Sequence, residues 1–347
     1  MRNVRTRGRD GAGERRYAVT AVLGTGVDAG VPWHYGDPLR EQRVLASGAG
    51  VLDRSNRGVL TVTGPDRLPW LHSICTQHLS DLRDGDATEA LVLSPHGHVE
   101  QHWQVLESGG TVWLDTEPGA AAGVLGYLQA MRFLKRVEPA DVSAQWAVLT
   151  VAGPRAPVVL AAAGLPVPAA GRGTATPDQG FVRARPDEAF DLLLPRGGRP
   201  AVWDALVAAG ATPVGTWAAD ALRVAARRPR LGLETDHRTI PHEVGWIGTA
   251  VHLNKGCYRG QETVARVQNL GRPPRRLVLL HLAGDRDELP APGTPVQAAG
   301  RNVGFLGTAV HHFELGPIAL AVIKRSIPDG ADLIVDGTAA RVDPGPD

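Results

Sequence analysis

The run Lys255-Gly256-Cys257-Tyr258-Arg259-Gly260-Gln261-Glu262 places the tightest constraint on how this chain can fold. Gly256 and Gly260 let the backbone take positive φ or pass close to a ligand or another segment. The run leads into residues 263–270, which read as a helix closed by Gly271 with Pro273 beyond it. Glu262 falls in the first turn, where a carboxylate suits the positive end of the helix dipole. Cys257 lies just ahead of that end, between Lys255 and Arg259, and such a thiol is expected to ionise more easily than a free one. It is a candidate reactive thiol. The plainer alternative is a small residue packed in a tight turn, with both cations in solvent. A cysteine nucleophile usually works with a base, and His242 and His252 are the nearest histidines in number.

At 347 residues the chain is long for one core, which predicts two or three subdomains. A net charge of +1 argues against a polyanion-binding surface, so no nucleic acid partner is expected. Two cysteines, Cys75 and Cys257, exclude a disulfide scaffold and a four-thiolate metal site within one chain. The basic, glycine-rich start has no apolar centre and does not read as a secretory signal. Residues 1–30 are expected to be a disordered tail. No run approaches the roughly 18 apolar residues of a membrane span, and a cytoplasmic location fits.

Strands are expected at 51–54 and 58–63, then a helix from about residue 68 that carries Trp70, Leu71 and Ile74. Cys75, beside apolar neighbours, reads as a core residue. Residues 33–38 form a polar-aromatic turn, read as a packed loop rather than a ligand contact. A hairpin spans 89–93 and 99–106. His96, His98 and His102 fall on one side of its second strand, with Glu100 on the other, and that spacing alone does not make a metal site. Ala121, Val124, Leu125, Leu128 and Met131 share a helical face. Residues 166–177 are a Pro/Gly/Ala-rich linker or insertion. Thr216 is expected to cap a helix carrying Trp217, Asp220, Leu222 and Arg223. From Arg276 the texture changes to short strands and turns, as in a small antiparallel barrel or sandwich. The boundary lies near 269–274. Arg223, Arg259 and Arg266, with Arg272, Arg275 and Arg276 further out, could fork onto carboxylates.

The run at 255–262 resembles the K-G-C-Y-x-G-Q-E motif of YgfZ-type folate-binding proteins, relatives of the glycine cleavage system T protein (aminomethyltransferase). Leu222-Arg223 resembles the start of a Leu-Arg-x-Glu-Ala-Gly element, with Ala225 and Arg227 at the later positions. Ile240-Pro241-His242-Glu243 resembles Ile-Pro-Gln-Glu. The likeness spans about residues 31–335. It implies an α+β, three-lobed T-protein-like fold: a split first domain, an inserted α+β second domain and a C-terminal small antiparallel β-barrel. Residues 31–270 would form the folate-binding region, with two interleaved subdomains, and 271–347 the barrel. It implies tetrahydrofolate as cofactor and no stably bound metal. Cys257 would be the working thiol. Lys255, Gly256, Tyr258, Arg259, Gly260, Gln261, Glu262 and Arg223 would be the folate-binding residues. The implied role is support of iron–sulfur enzymes, by cluster assembly or repair, with client enzymes or assembly factors as partners. A folate-dependent aminomethyl or one-carbon transferase is the first alternative, and a catalytically inactive folate-binding module the second. Gln101 and His102 stand where T proteins carry paired aspartates, which favours the accessory role over the transferase.

Overall fold

Strand Gly58–Thr63 buries Val59 on one face and Leu60 and Val62 on the other, so it must be covered twice. Leu60 and Val62 enter a core with Trp70, Leu71, Val124 and Leu128. Val59 turns the other way and meets Val148 and Leu193 of a different sheet. In a computed structural model, which describes residues 21–284 and 288–344, this two-sided burial brings two sheets face to face. The first sheet has five strands in the order Ala87–Leu93, Val99–Ser108, Thr111–Thr116, Gly58–Thr63 and Glu138–Asp141. Helices Arg67–Ile74 and Ala121–Ala130 cover its outer face.

The second sheet has six strands and is discontinuous in sequence. Gly50–Asp53 comes before the five-stranded lobe; Trp146–Ala152, Gly173–Ala175, Phe181–Ala184, Phe190–Pro195 and Thr212–Val214 come after it. Helices Ala156–Ala162 and Arg199–Ala208 pack on this sheet through Val159, Leu160 and Leu206. The split first domain with an inserted second one is therefore the architecture found. The third lobe is a closed six-stranded antiparallel barrel that begins at Arg275. Closure leaves no bare sheet edge. Helix Thr216–Ala225 docks on the barrel by Ala221 and Val224, against Leu279, Val310 and Ile318.

Two local expectations change. The helix cap is Gly215 rather than Thr216: the Gly215 N–H donates to Glu41 Oε2 at 2.8 Å, and Thr216 is the first helical residue. The tail expected over residues 1–30 lies outside the described residues only as far as residue 20. Beyond it Val22–Leu23 pairs with Pro32–His34, and Asp28 holds Arg230 at 2.8 Å. Trp33 stacks on Trp217 with ring centres 4.5 Å apart, in keeping with the packed-loop reading. Among the described residues no helix is long and apolar enough to cross a membrane.

Candidate functional site

Where the two sheets and helix Thr216–Ala225 meet, they leave a cavity of about 300 Å³. That is near the lower end of small-molecule sites. Leu52, Ala152, Ala219 and Leu222 give it apolar wall, and His102, Gln104 and Thr150 bring side-chain hydrogen-bonding groups. Six arginines and six carboxylates complete the lining: Arg54, Arg57, Arg185, Arg223, Arg228 and Arg230 with Asp28, Glu117, Asp187, Glu188, Asp191 and Asp220.

His102 does not stand with His96 and His98 on one strand face. The pairing slips between Val92 and Leu93, opposite Glu100, and this bulge breaks the alternation of two. His102 Nε2 lies 2.8 Å from Glu89 Oε2 on the neighbouring strand. Burial would raise the Glu89 pKa, but the His102 bond and charge, with Thr249 and Gln104, pull it down to about 2. A carboxylate therefore does lie near His102, contributed by the strand across the hairpin and not by Glu100. An imidazole oriented this way by a carboxylate can take up and return a proton.

Five of the twelve lining charges, Asp28, Arg57, Glu117, Asp191 and Arg230, belong to one buried ion chain. Asp191 binds Arg183 at 2.8 Å, Arg183 binds Asp115 at 2.7 Å, and Asp115 binds Arg57 at 2.7 Å. Arg57 continues to Glu117 at 3.1 Å, Glu117 to Arg230 at 2.9 Å, and Arg230 to Asp28 at 2.8 Å. Arg223 is held by Asp220 at 2.8 Å, by Glu234 at 2.9 Å and by the Thr308 hydroxyl at 2.6 Å. It lines the cavity, but its fork is already engaged between the helix and the barrel. The other arginine candidates stand elsewhere. Arg259 pairs with Glu100, Arg275 with Asp236 and Glu243, and Arg276 with Asp329. Arg266 and Arg272 are exposed, and none of the five lines the cavity.

The motif residues Lys255, Gly256, Cys257, Tyr258, Arg259, Gly260, Gln261 and Glu262 form a separate site that does not line the cavity. Gly260 has φ of 81°, and a Cβ there would stand 2.5 Å from Ser94 O and 2.9 Å from Gly97 Cα. A side chain on Gly97 would in turn meet Thr263 at 2.6 Å. The motif is thus pressed onto the hairpin turn at 94–97. Arg259 Nη1 to Glu100 Oε2, at 3.1 Å, adds a clamp. Gln261 Oε1 accepts the Tyr258 N–H at 3.1 Å just ahead of helix Gln261–Leu270. Leu91, Leu93, Trp246, Val264 and the half-buried Tyr258 pack together beneath the loop.

The cavity groups and the motif therefore occupy opposite ends of one hairpin. From Glu89 to Leu93 is four residues, about 13 Å of strand. Cys257 is exposed. The two cations beside it in sequence point to other partners: Lys255 Nζ donates to the carbonyls of His72 and Cys75, and Arg259 meets Glu100. Burial lowers the Lys255 pKa. His242 lies beside Gln268, and His252 packs on His78, so neither is the base paired with Cys257. Cys75 is buried, and burial pushes its thiol up to about 11, as suits a core residue. Among the described residues no group of three or more His, Cys, Asp or Glu side chains could hold a metal ion.

Sequence reasoning missed Glu89, Arg54, Arg57, Arg185, Arg228 and Arg230. One signal was present: Arg54-Ser55-Asn56-Arg57 places two cations between strands apolar enough to be buried. Comparison with known proteins adds identity to this geometry. The family described as the GCVT N-terminal domain matches residues 14–167, and the CAF17 C-terminal beta-barrel domain matches residues 275–345. An aminomethyltransferase of Frankia alni is 32% identical, over 89% of this chain and 86% of its own. A chloroplastic protein of Arabidopsis thaliana named as a transferase is 26% identical, over 83% of this chain and 69% of its own. The crystal structure of the glycine cleavage system aminomethyltransferase T from Bartonella henselae superposes with a TM-score of 0.82. It is 21% identical and covers 93% of this chain and 92% of its own, a likeness of fold.

Proposed function

The chain belongs to the aminomethyltransferase family, and on that premise we propose that it is a tetrahydrofolate-binding accessory protein that supports assembly or repair of iron–sulfur enzymes in the cytoplasm. Tetrahydrofolate would occupy the cavity between the two sheets. The lining fits such a molecule: Leu52 and Leu222 offer apolar wall to a flat ring, and His102, Gln104 and Thr150 offer hydrogen bonds to its polar edge. When bound, the reduced folate supplies one-carbon chemistry. The protein's own groups position it, and His102, held by Glu89, can move a proton at its free ring nitrogen.

One observation carries the accessory role: Cys257 is exposed on a loop fixed to the far end of the hairpin, outside the cavity. A thiol placed there is open to the face of another protein rather than to a ligand in the pocket. One thiolate does not hold a stable cluster, which usually takes four ligands. It can serve as a transient ligand or exchange sulfur with a client. The test is a Cys257→Ser chain in cells that depend on it for an iron–sulfur enzyme. Client activity falls towards the level of cells without the protein, while the amount of folded protein is unchanged. Full client activity with Cys257→Ser contradicts the proposal.

A further inference from the structure

Arg54 stands apart from the ion chain. It follows strand Gly50–Asp53, its backbone N–H is fixed to Val148 O at 3.0 Å, and its side chain lines the cavity. Among the described residues its guanidinium has no hydrogen-bond or ion-pair partner, whereas Arg57 and Arg230 are engaged by Asp115, Glu117 and Asp28. Arg185 is held by Asp187 and Asp191, and Arg228 by Asp187. Burial lowers the Arg54 pKa to about 10; the nearby charges of Arg57, Arg185 and Arg230 push the same way, and Glu117 opposes them, while Asp28 and Asp191 also feel the Arg54 charge. A guanidinium does not give up its proton at neutral pH. The cavity therefore contains a fixed, half-buried guanidinium whose N–H groups have no partner among the described residues.

We propose that Arg54 is the centre of a carboxylate-binding subsite within the cavity. A carboxylate matches the planar fork of an arginine and would satisfy the N–H groups that Arg54 leaves unpaired. Two sources carry that chemistry: the glutamyl end of a reduced folate, or a small free amino acid bound alongside the pterin. Identification of the larger ligand rests on the folate reading; the carboxylate subsite does not.

The experiment is calorimetric titration of the full chain with tetrahydrofolate, with tetrahydropteroate (the same ring system lacking the glutamyl group) and with N-methylglycine, in wild type, Arg54→Met and Arg54→Lys. A charge-assisted bond is worth about 1.5–3 kcal/mol, or about 10- to 150-fold in affinity. If the glutamyl group is the source, Arg54→Met weakens tetrahydrofolate by that factor and leaves tetrahydropteroate unchanged, and Arg54→Lys recovers part of the loss. If a free amino acid is the source, N-methylglycine binds saturably to wild type and not to Arg54→Met. Because burial penalises that charge and no hydrogen bond offsets it, Arg54→Met melts no lower than wild type without ligand. A variant that melts lower or does not fold overturns that electrostatic premise and with it the subsite. Tetrahydrofolate bound equally by all three chains, with no binding of N-methylglycine, overturns the subsite and leaves the folate reading standing. Arg54-dependent binding of N-methylglycine without binding of either pterin does the reverse. No binding by any probe defeats both.

Discussion

Cys257 and Cys75 show how far side-chain identity alone carries. Both lie close to Lys255, one in sequence and one through its carbonyl, yet one is exposed and the other is 1% exposed in the core beneath helix Arg67–Ile74. The Lys255 charge is directed to the two buried carbonyls, so exposure distinguishes the thiols. An aromatic disulfide reagent should therefore titrate one equivalent of thiol rapidly in the native chain and the second only on unfolding. Cys257→Ser should remove the rapid phase. Two equivalents reacting together in the native protein would contradict this assignment. The sequence made the exposure of Cys257 readable through its glycine-flanked loop. It concealed that both flanking cations are committed elsewhere, because Glu100 and the 72–75 carbonyls approach from distant parts of the chain.

Among the elements, the hairpin Ala87–Leu93/Val99–Ser108 connects the two candidate sites. Its open end contributes Glu89, His102 and Gln104, and its turn receives Gly260. The hairpin itself was legible from strand periodicity and the Ser-Pro-His-Gly turn. The bulge opposite Glu100 was not, since a one-residue slip leaves composition unchanged while it moves side chains to the other face. The joint with the motif loop depends on two glycines meeting. Gly260→Ala combines a left-handed backbone position with a Cβ overlapping Ser94 O, and should destabilise the chain by about 1–3 kcal/mol. Denaturant unfolding measures this, and an unchanged midpoint would show that the loop does not need that close contact.

For the whole molecule, three lobes are joined by charge as much as by apolar contact. The buried ion chain begins at Asp191 in the six-stranded sheet and passes through Asp115 in the five-stranded one; Arg223 and Glu234 extend the same polar network to Thr308 in the barrel. The split domain and the barrel could be anticipated from the resemblance and from the short strands after Arg276. The ion chain could not, because its partners lie between eight and 202 residues apart and each arginine alone reads as surface. The central claim is that this scaffold keeps the folate cavity and the working thiol as two separate sites. Calorimetric titration of tetrahydrofolate into wild type, Cys257→Ser and Ala219→Trp, the last filling the cavity, tests it most directly. The account predicts one site per chain with equal affinity in the first two and loss of binding in the third. Binding that disappears with Cys257→Ser and survives Ala219→Trp would contradict it.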